Sequence, residues 1–438
     1  MAPGGSMAGG RRLGWYYGWN IVAGCVLAGI AASALPINAF SLFLAGWSAD
    51  LHVPLSTLQI GIGGCGLGCA LVSPLIGLIA DKYSGRWLIS IGLALMALFC
   101  LGISAVTAVW QYIVLYALLL PVGLTLSTSL LANSMVSRWF VRRLGLALSI
   151  TAVGLGMAGV VMPPIVAAAM PDLGWRGIWR TGGIIIAVLV LPLVIAVLRE
   201  KPREEDGSYY LTGAEDGAAV PPHSHGGKSD LRWRDIFKRR NFWLLIVVYV
   251  PMLALYGGAG QNIAPIATSR GLSAETAGVL LSLLSVSQLA ATMLAGVMSD
   301  RLGNRLPLAV FAFATAVGGV FVAFGAGSVT LGIGIILAGF GGSFWPLIAA
   351  SAAAEFGAGA VGRVFGLVMF FLPLVISAPF AVAKARESTG SYTLALLVMA
   401  FIAVAGGLAC LLLMREQRAP KLAAGGSQIE AKPADTLA

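Results

Sequence analysis

Charge is what this sequence has least of. Only 11% of its 438 residues are Asp, Glu, Lys or Arg, against 58% hydrophobic, where a soluble chain carries about 25% charged residues. One water-soluble core could not bury so large an apolar excess, so a soluble globular protein is excluded. The five cysteines (Cys25, Cys65, Cys69, Cys100, Cys410) sit inside apolar runs without metal-ligand spacing, and read as small packing residues. Histidine is confined to His52, His223 and His225, all in connections, so no metal centre is expected and no general base is available inside an apolar run. No Gly-x-x-x-x-Gly-Lys-Ser/Thr phosphate loop occurs, which leaves an ATP-driven pump unsupported, and no cofactor is implied. Most telling, no Asp, Glu, Lys, Arg or His lies in the middle of any long apolar run. A charge retained there costs about 2.5–3.5 kcal/mol on insertion scales and usually marks an ion pathway.

What the sequence does have is apolar length. Twelve blocks reach the roughly 20 residues a helix needs to cross the hydrocarbon. In a water-free layer each block must satisfy its own backbone, so all are expected to be helical. The runs predict helices over 18–46, 55–80, 87–107, 110–134, 144–170 and 178–198. A second set follows over 241–267, 273–298, 306–326, 329–354, 360–383 and 391–414. The expected fold class is all-α integral membrane, with twelve transmembrane helices in two pseudo-symmetric six-helix halves. Its parts are an N-terminal tail (1–17), a first half (18–198), a linker (199–240), a second half (241–414) and a C-terminal tail (415–438). The linker is rich in Gly, Pro, Ser and charge, with room for a short amphipathic helix at 231–239.

The formal charge of +10 could suggest nucleic acid, but its distribution argues for a bilayer. Taking connections alternately, one side holds 23 of the 28 Lys and Arg, and the other only Arg176, Arg180, Arg270, Lys384 and Arg386. This positive-inside bias predicts that both termini and the linker are cytoplasmic, in a multi-pass protein of the cytoplasmic membrane. Arg11-Arg12, an apolar run and Ala32-Ser33-Ala34 together look like a cleavable signal. The run continues to Leu44, however, and removing it would leave an odd number of helices, so the segment is read as helix 1.

Two pairs of loops repeat about 220 residues apart. Gly77-Leu78-Ile79-Ala80-Asp81-Lys82-Tyr83-Ser84-Gly85-Arg86 is echoed by Gly296-Val297-Met298-Ser299-Asp300-Arg301-Leu302-Gly303-Asn304-Arg305. The stretch from Ser137 to Ala147, opening helix 5, is echoed by Gly362-Arg363-Val364-Phe365-Gly366-Leu367, opening helix 11. Two matched pairs at one offset argue for duplicated halves.

Asp81-Lys82 and Asp300-Arg301, each followed by a small-residue turn, resemble the loop motif of the major facilitator superfamily; the first copy has Ser84 where the family usually has Gly. Trp15-Tyr16-Tyr17-Gly18-Trp19-Asn20 and Arg138-Trp139-Phe140 with Arg142-Arg143 resemble the monocarboxylate-transporter and oxalate/formate-antiporter group. The resemblance implies transport of a small solute by alternating access. The loop charges then become a conformational latch. Asp81 with Arg86 would face helix 11 and Arg363, while Asp300 with Arg301 and Arg305 would face helix 5 and Arg142 or Arg143. Charged hydrogen bonds of this kind contribute about 1.5–3 kcal/mol. Gly154, Gly156 and Gly159 offer a small-residue face for contact between the halves.

In such folds the substrate sits near the midplane between the halves, which directs attention to polar residues in helix interiors. The candidates are Asn38 in helix 1, Tyr116 and Ser127 in helix 4, Tyr256, Gln261 and Asn262 in helix 7, Ser285 and Gln288 in helix 8, and Trp345 in helix 10. Pro251 and Gly257-Gly258 are expected to break helix 7. For each candidate the competing role is hydrogen bonding between helices, and the amides, with the most groups to satisfy, are the strongest. The resembled group carries an Arg in helix 8, where this chain offers Ser285, Gln288 and Thr292. The expected function is secondary transport of a small organic solute, a monocarboxylate or related organic acid, with proton symport, exchange or facilitated diffusion all open. Transport or export of a neutral or amphipathic solute is the alternative. An intramembrane enzyme using Ser343 lacks a base, and a sensor lacks a signalling domain. The expected partners are the substrate, the lipid bilayer and a coupling proton, with the protein acting as a monomer.

Overall fold

Where no water reaches the backbone, an apolar run must become helix, and helix is what the chain forms. The structure, a computed structural model, describes residues 16–80, 82–140, 144–199, 233–343 and 370–413, with isolated positions between 347 and 368. Among the described residues nine helices are long and apolar enough to cross a membrane. One of them, 146–197, has 52 residues and would be about 78 Å long if straight, over twice a bilayer core. It divides at Gly174, whose φ of 59° is open to glycine but costly for other residues, into helices 5 and 6. Two shorter elements, Ser328–Gly339 with its continuation Phe340–Ser343, and Leu372–Thr389, supply helices 10 and 11. Twelve spans are thus accounted for.

Helix 1 runs over 18–51, longer than expected, as Gly18–Ser33, a π-helical stretch Ala34–Asn38 around Pro36, and Phe40–Leu51. Similar wide turns, Leu115–Leu119 in helix 4 and Ile186–Val190 in helix 6, each end two residues before a proline, Pro121 and Pro192. A proline ring crowds the preceding turn and leaves a carbonyl without its donor, and widening the turn relieves both. Helix 2 is Leu55–Ala80, helix 3 Gly85–Ser104, helix 8 Ala274–Leu302, helix 9 Arg305–Phe324 and helix 12 Thr393–Leu413.

One expectation is overturned here. Helix 7, Arg240–Ser269, runs unbroken through Pro251, Gly257 and Gly258. The Gly258 site is a packing contact: a Cβ there would lie 3.2 Å from Val382 of helix 11. The breaks fall elsewhere. Helix 4 parts at Thr128, whose extended backbone separates Leu120–Ser127 from Ser129–Trp139, and helix 10 tightens into a 3₁₀ turn at Phe340–Ser343.

The loops lie at two ends of the bundle. The connections around 52–54, 105–108, 171–174, 270–273, 325–327 and 390–392 form the charge-poor end. Its few cations hold structure. Arg270 donates to the carbonyls of Val322 at 2.6 Å, Ala323 at 3.0 Å and Gly325, closing the end of helix 9, where a cation also opposes the negative end of the helix dipole. Arg176 pairs with Asp50 and donates to the Val106 carbonyl at 3.1 Å.

At the cation-rich end, two stretches over 120 residues apart in sequence come together. The Tyr16 hydroxyl donates to the Trp139 carbonyl, and the Trp139 indole donates to the Arg199 carbonyl at 3.0 Å. The Arg199 guanidinium lies 4.1 Å from the Tyr17 ring centroid, and Trp19 packs edge-on against Phe140. This aromatic clasp ties helices 1, 4 and 6 together. The linker ends in a short helix, Trp233–Lys238, and Arg239 donates to the Glu355 carbonyl at 2.9 Å. In the second loop motif, Gly303 (φ 76°) terminates helix 8 with its N–H on the Ser299 carbonyl at 3.1 Å.

Candidate functional site

Helices 1 and 5 of the first half meet helices 7 and 8 of the second, and helix 2 meets helix 11. Glycines set the closeness of approach on the first of these seams. A Cβ on Gly156 would lie 2.5 Å from Leu289, and one on Gly159 only 2.3 Å from Ser285 Oγ and 2.8 Å from Asn38 Oδ1. Asn38 and Ser285 therefore face each other across the junction, with room for nothing larger than glycine between them. Gly154 belongs to another contact, against Val26 of helix 1.

One helical turn beyond Ser285 stands Gln288. Its Oε1 accepts from the Tyr256 hydroxyl at 2.6 Å, and its Nε2 reaches the Gly342 carbonyl at 3.4 Å. Gly341 and Gly342 make this possible. A Cβ on Gly342 would sit 2.7 Å from Gln288 Cγ, and one on Gly341 2.9 Å from Tyr256 Cβ, so only glycines let the 3₁₀ turn of helix 10 lie on the pair. Tyr256, Gln288, Ser285 and Asn38 are each half-buried. Together they form a strip of phenol, amide and hydroxyl groups running from helix 10 to helix 1. Chemically it can donate and accept neutral hydrogen bonds; its side chains carry no charge.

Asn262 occupies a different corner. It is fully buried, donates to the Gly258 carbonyl at 2.9 Å and the Pro379 carbonyl at 3.1 Å, and accepts from Gln59 Nε2 at 3.2 Å. Gln261 contributes its backbone carbonyl to the same Gln59 at 3.4 Å. This corner binds helices 2, 7 and 11 together. Gln59 was not singled out from sequence; it sits one turn into helix 2, at Ser56-Thr57-Leu58-Gln59, where a polar residue near a loop draws no attention. Further links cross the junction nearby. The Ala264 N–H donates to the Ser41 hydroxyl at 2.9 Å, and the Ser282 hydroxyl donates to the Val160 carbonyl at 2.7 Å.

Tyr116 and Ser127 lie apart from both corners. Tyr116 is fully buried in an aromatic cluster of the first half, 4.7 Å from Tyr112, 5.2 Å from Phe99 and 6.0 Å from Trp47 between ring centroids. Ser127, 1% exposed, presses against Gly92 of helix 3, where a Cβ would be 2.4 Å from its hydroxyl. Of the loop charges, Arg86 lies 5.5 Å from the Trp87 ring centroid, Arg301 is exposed in the last turn of helix 8, and Arg305 opens helix 9. Asp81, Arg142, Arg143, Arg363 and Trp345, and the side chain of Asp300, lie outside the described residues. No group of His, Cys, Asp and Glu among the described residues could hold a metal ion, and the five cysteines are free thiols.

Comparison with known proteins agrees with this architecture. Monocarboxylate transporter 12 of Mus musculus is 26% identical over 419 residues, covering 89% of this chain and 83% of that protein. The MFS-type transporter pytF of Aspergillus terreus is 25% identical over 298 residues, covering 66% of this chain and 92% of that protein. Among solved structures, a D323A mutant of the nucleoside transporter NupG superimposes with a TM-score of 0.70 at 13% identity, covering 89% of this chain and 99% of that one. The xylose transporter XylE from E. coli, in a partially occluded inward open conformation, gives 0.68 at 14% identity, covering 93% and 100%; these likenesses speak to fold alone. The profile of the Major Facilitator Superfamily matches residues 26–265 and 260–436, and the chain belongs to that superfamily, as a multi-pass membrane protein resembling its monocarboxylate-transporter members.

Proposed function

We propose that the protein is a secondary transporter that moves a small organic acid, a monocarboxylate or a close relative, across the cytoplasmic membrane by alternating access. It acts as a monomer, without catalysing a reaction, and with both termini and the 199–240 linker on the cytoplasmic side. The observation that carries this reading is Gln288. Its amide N–H group has only a 3.4 Å contact with a carbonyl, and it stands beside a phenol and one turn from Ser285, which faces Asn38 across the seam. A carboxylate arriving there finds the Gln288 amide N–H as its donor, held in orientation by the Tyr256 hydroxyl bonded to Gln288 Oε1. A neutral N–H holds a carboxylate without the net charge and bidentate fork that a guanidinium adds, which suits a carrier that must release its cargo.

The relatives named as monocarboxylate transporters support the acid over a neutral solute. A coupling proton belongs to the proposal, as does the latch at the cation-rich end. In that latch Asp81 with Arg86 would pair with Arg363, and Asp300 with Arg301 and Arg305 would pair with Arg142 or Arg143, to hold that end shut while the other is open. Ser127, Gln261 and Trp345 remain candidates for the wall of the path, and Tyr116 for its support.

The test is uptake of radiolabelled small monocarboxylates into proteoliposomes, with a thermal-shift screen of acids and neutral solutes on purified protein. Uptake that rises with an imposed proton gradient and falls with Gln288→Ala is the expected result. Stabilisation by neutral solutes alone, with no response to any acid, would sink the proposal.

A further inference from the structure

The charge-poor end of the junction is closed by a carboxylate that crosses it. Glu387, near the end of helix 11, accepts from the Ser56 backbone N–H at 2.9 Å and from the Ser56 hydroxyl at 2.9 Å, using one oxygen for each. Ser56 is the second residue of helix 2. The N–H groups of a helix's first turn have no partner within the helix, and the positive end of the helix dipole favours a carboxylate there. Glu387 therefore caps helix 2 in trans, from the opposite half of the molecule. Lys384, one turn earlier on helix 11, donates to the second oxygen at 3.3 Å and orients it. Ser56 is 3% exposed and the Glu387 side chain 24%, so the contact is shielded yet borders water.

Behind this cap lie the Gln59–Asn262 and Ser41–Ala264 links already described. Beside them is a cavity of about 190 Å³ between helices 1, 5, 6, 7 and 8, its wall including Ser41, Trp175, Ala264 and Thr268. Helices 2 and 11 cannot part at this end without first giving up both Ser56 bonds. Water can replace those bonds at the carboxylate and at the helix end, so the cap can be released and remade repeatedly.

We propose that Glu387 is the latch of the charge-poor gate, capping helix 2 while that face is closed and releasing it when that face opens. The inference rests on the alternating-access reading above, and gives the proposed cation-rich latch its counterpart at the other end.

The test uses the full chain with its five native cysteines replaced and one reporter introduced, Ala264→Cys. That position is 6% exposed, and its N–H is bonded across the seam. A membrane-impermeant maleimide is added from the charge-poor side of proteoliposomes, and the labelling rate is followed. Glu387→Ala is expected to raise that rate about ten-fold by shifting the gate toward open. Glu387→Gln and Ser56→Ala, each of which keeps part of the cap, should raise it about two- to three-fold. Unchanged rates in all three overturn the latch. An equal rise with the exposed Glu275→Ala, at the start of helix 8, also overturns it, because that signifies general loosening. If Glu387→Ala does not fold, Ser56→Ala carries the same decision. The readout needs no substrate, so a failed latch and a failed transport assignment are separable: labelling can respond in a protein that carries no acid, and uptake can persist where labelling does not respond.

Discussion

Asn262 and Gln288 are amides in helix interiors on the same junction, and they do opposite things with their hydrogen-bonding groups. Asn262 sits where helices 2, 7 and 11 converge, is fully buried, and engages two carbonyls and one amide. Gln288 stands under a 3₁₀ turn, half-buried, with one strong bond from Tyr256 and one marginal reach to Gly342. An amide has two donor hydrogens and two acceptor lone pairs. In the first corner neighbours use most of them; in the second they do not. Under the proposed function, what sets the two apart is how completely the surrounding backbone answers the side chain, since the chemistry of the two residues is the same.

The contrast can be broken most forcefully at Asn262. Asn262→Ala leaves Gln59 with only its 3.4 Å contact to the Gln261 carbonyl and strips a donor from Pro379. Leaving buried polar groups unanswered costs about 1–3 kcal/mol, and a value near the upper end is expected. The measurement is the thermal unfolding midpoint in detergent, which should fall by several degrees without ligand present. A midpoint equal to that of the parent would show that the corner is not glue.

Gln288→Ala should behave in reverse. The unliganded midpoint stays close to the parent's, while acid affinity falls about ten-fold, equivalent to 1.4 kcal/mol. Tyr256→Phe comes next, removing the hydroxyl that orients the Gln288 amide; a weakening of about three-fold is expected, since a single neutral hydrogen bond contributes about 0.5–1.5 kcal/mol. If either change lowered the unliganded midpoint as much as Asn262→Ala does, the strip would be glue as well.

The helices and the doubling were legible because they follow from local rules. Apolar length sets the spans, cations mark the loops, and Gly303 ends helix 8 as its place in the loop motif suggests. The small-residue face of helix 5 was legible too, through Gly156 and Gly159. The difference between Asn262 and Gln288 was not, because it depends on Pro379 and Gly342, which lie over 50 residues away on other helices. For the same reason the aromatic neighbours that Tyr116 finds on helices 1 and 3 were not legible. Glu387 was invisible from the other direction. A carboxylate near a helix end looks like loop charge until Ser56, 331 residues earlier, is found beneath it. Pro251 misled because a proline is a break signal only where neighbouring helices do not hold the chain straight.

The smallest expected effect is the most discriminating, and it belongs to Ser285. Its hydroxyl hydrogen is committed to the Leu281 carbonyl of its own helix at 3.2 Å, so it offers lone pairs to the seam. A carboxylate gains nothing from lone pairs, whereas a hydroxyl-bearing neutral solute can donate to them. For an acid substrate, Ser285→Ala should therefore change the half-saturation concentration by less than about two-fold, in either direction. A neutral solute should bind several-fold more weakly in the same variant. If the acid itself bound several-fold more weakly, the Ser285 hydroxyl must turn away from Leu281 to donate to it. The site would then extend across the seam to Asn38, and the strip would act as one continuous surface with Gln288 at its centre.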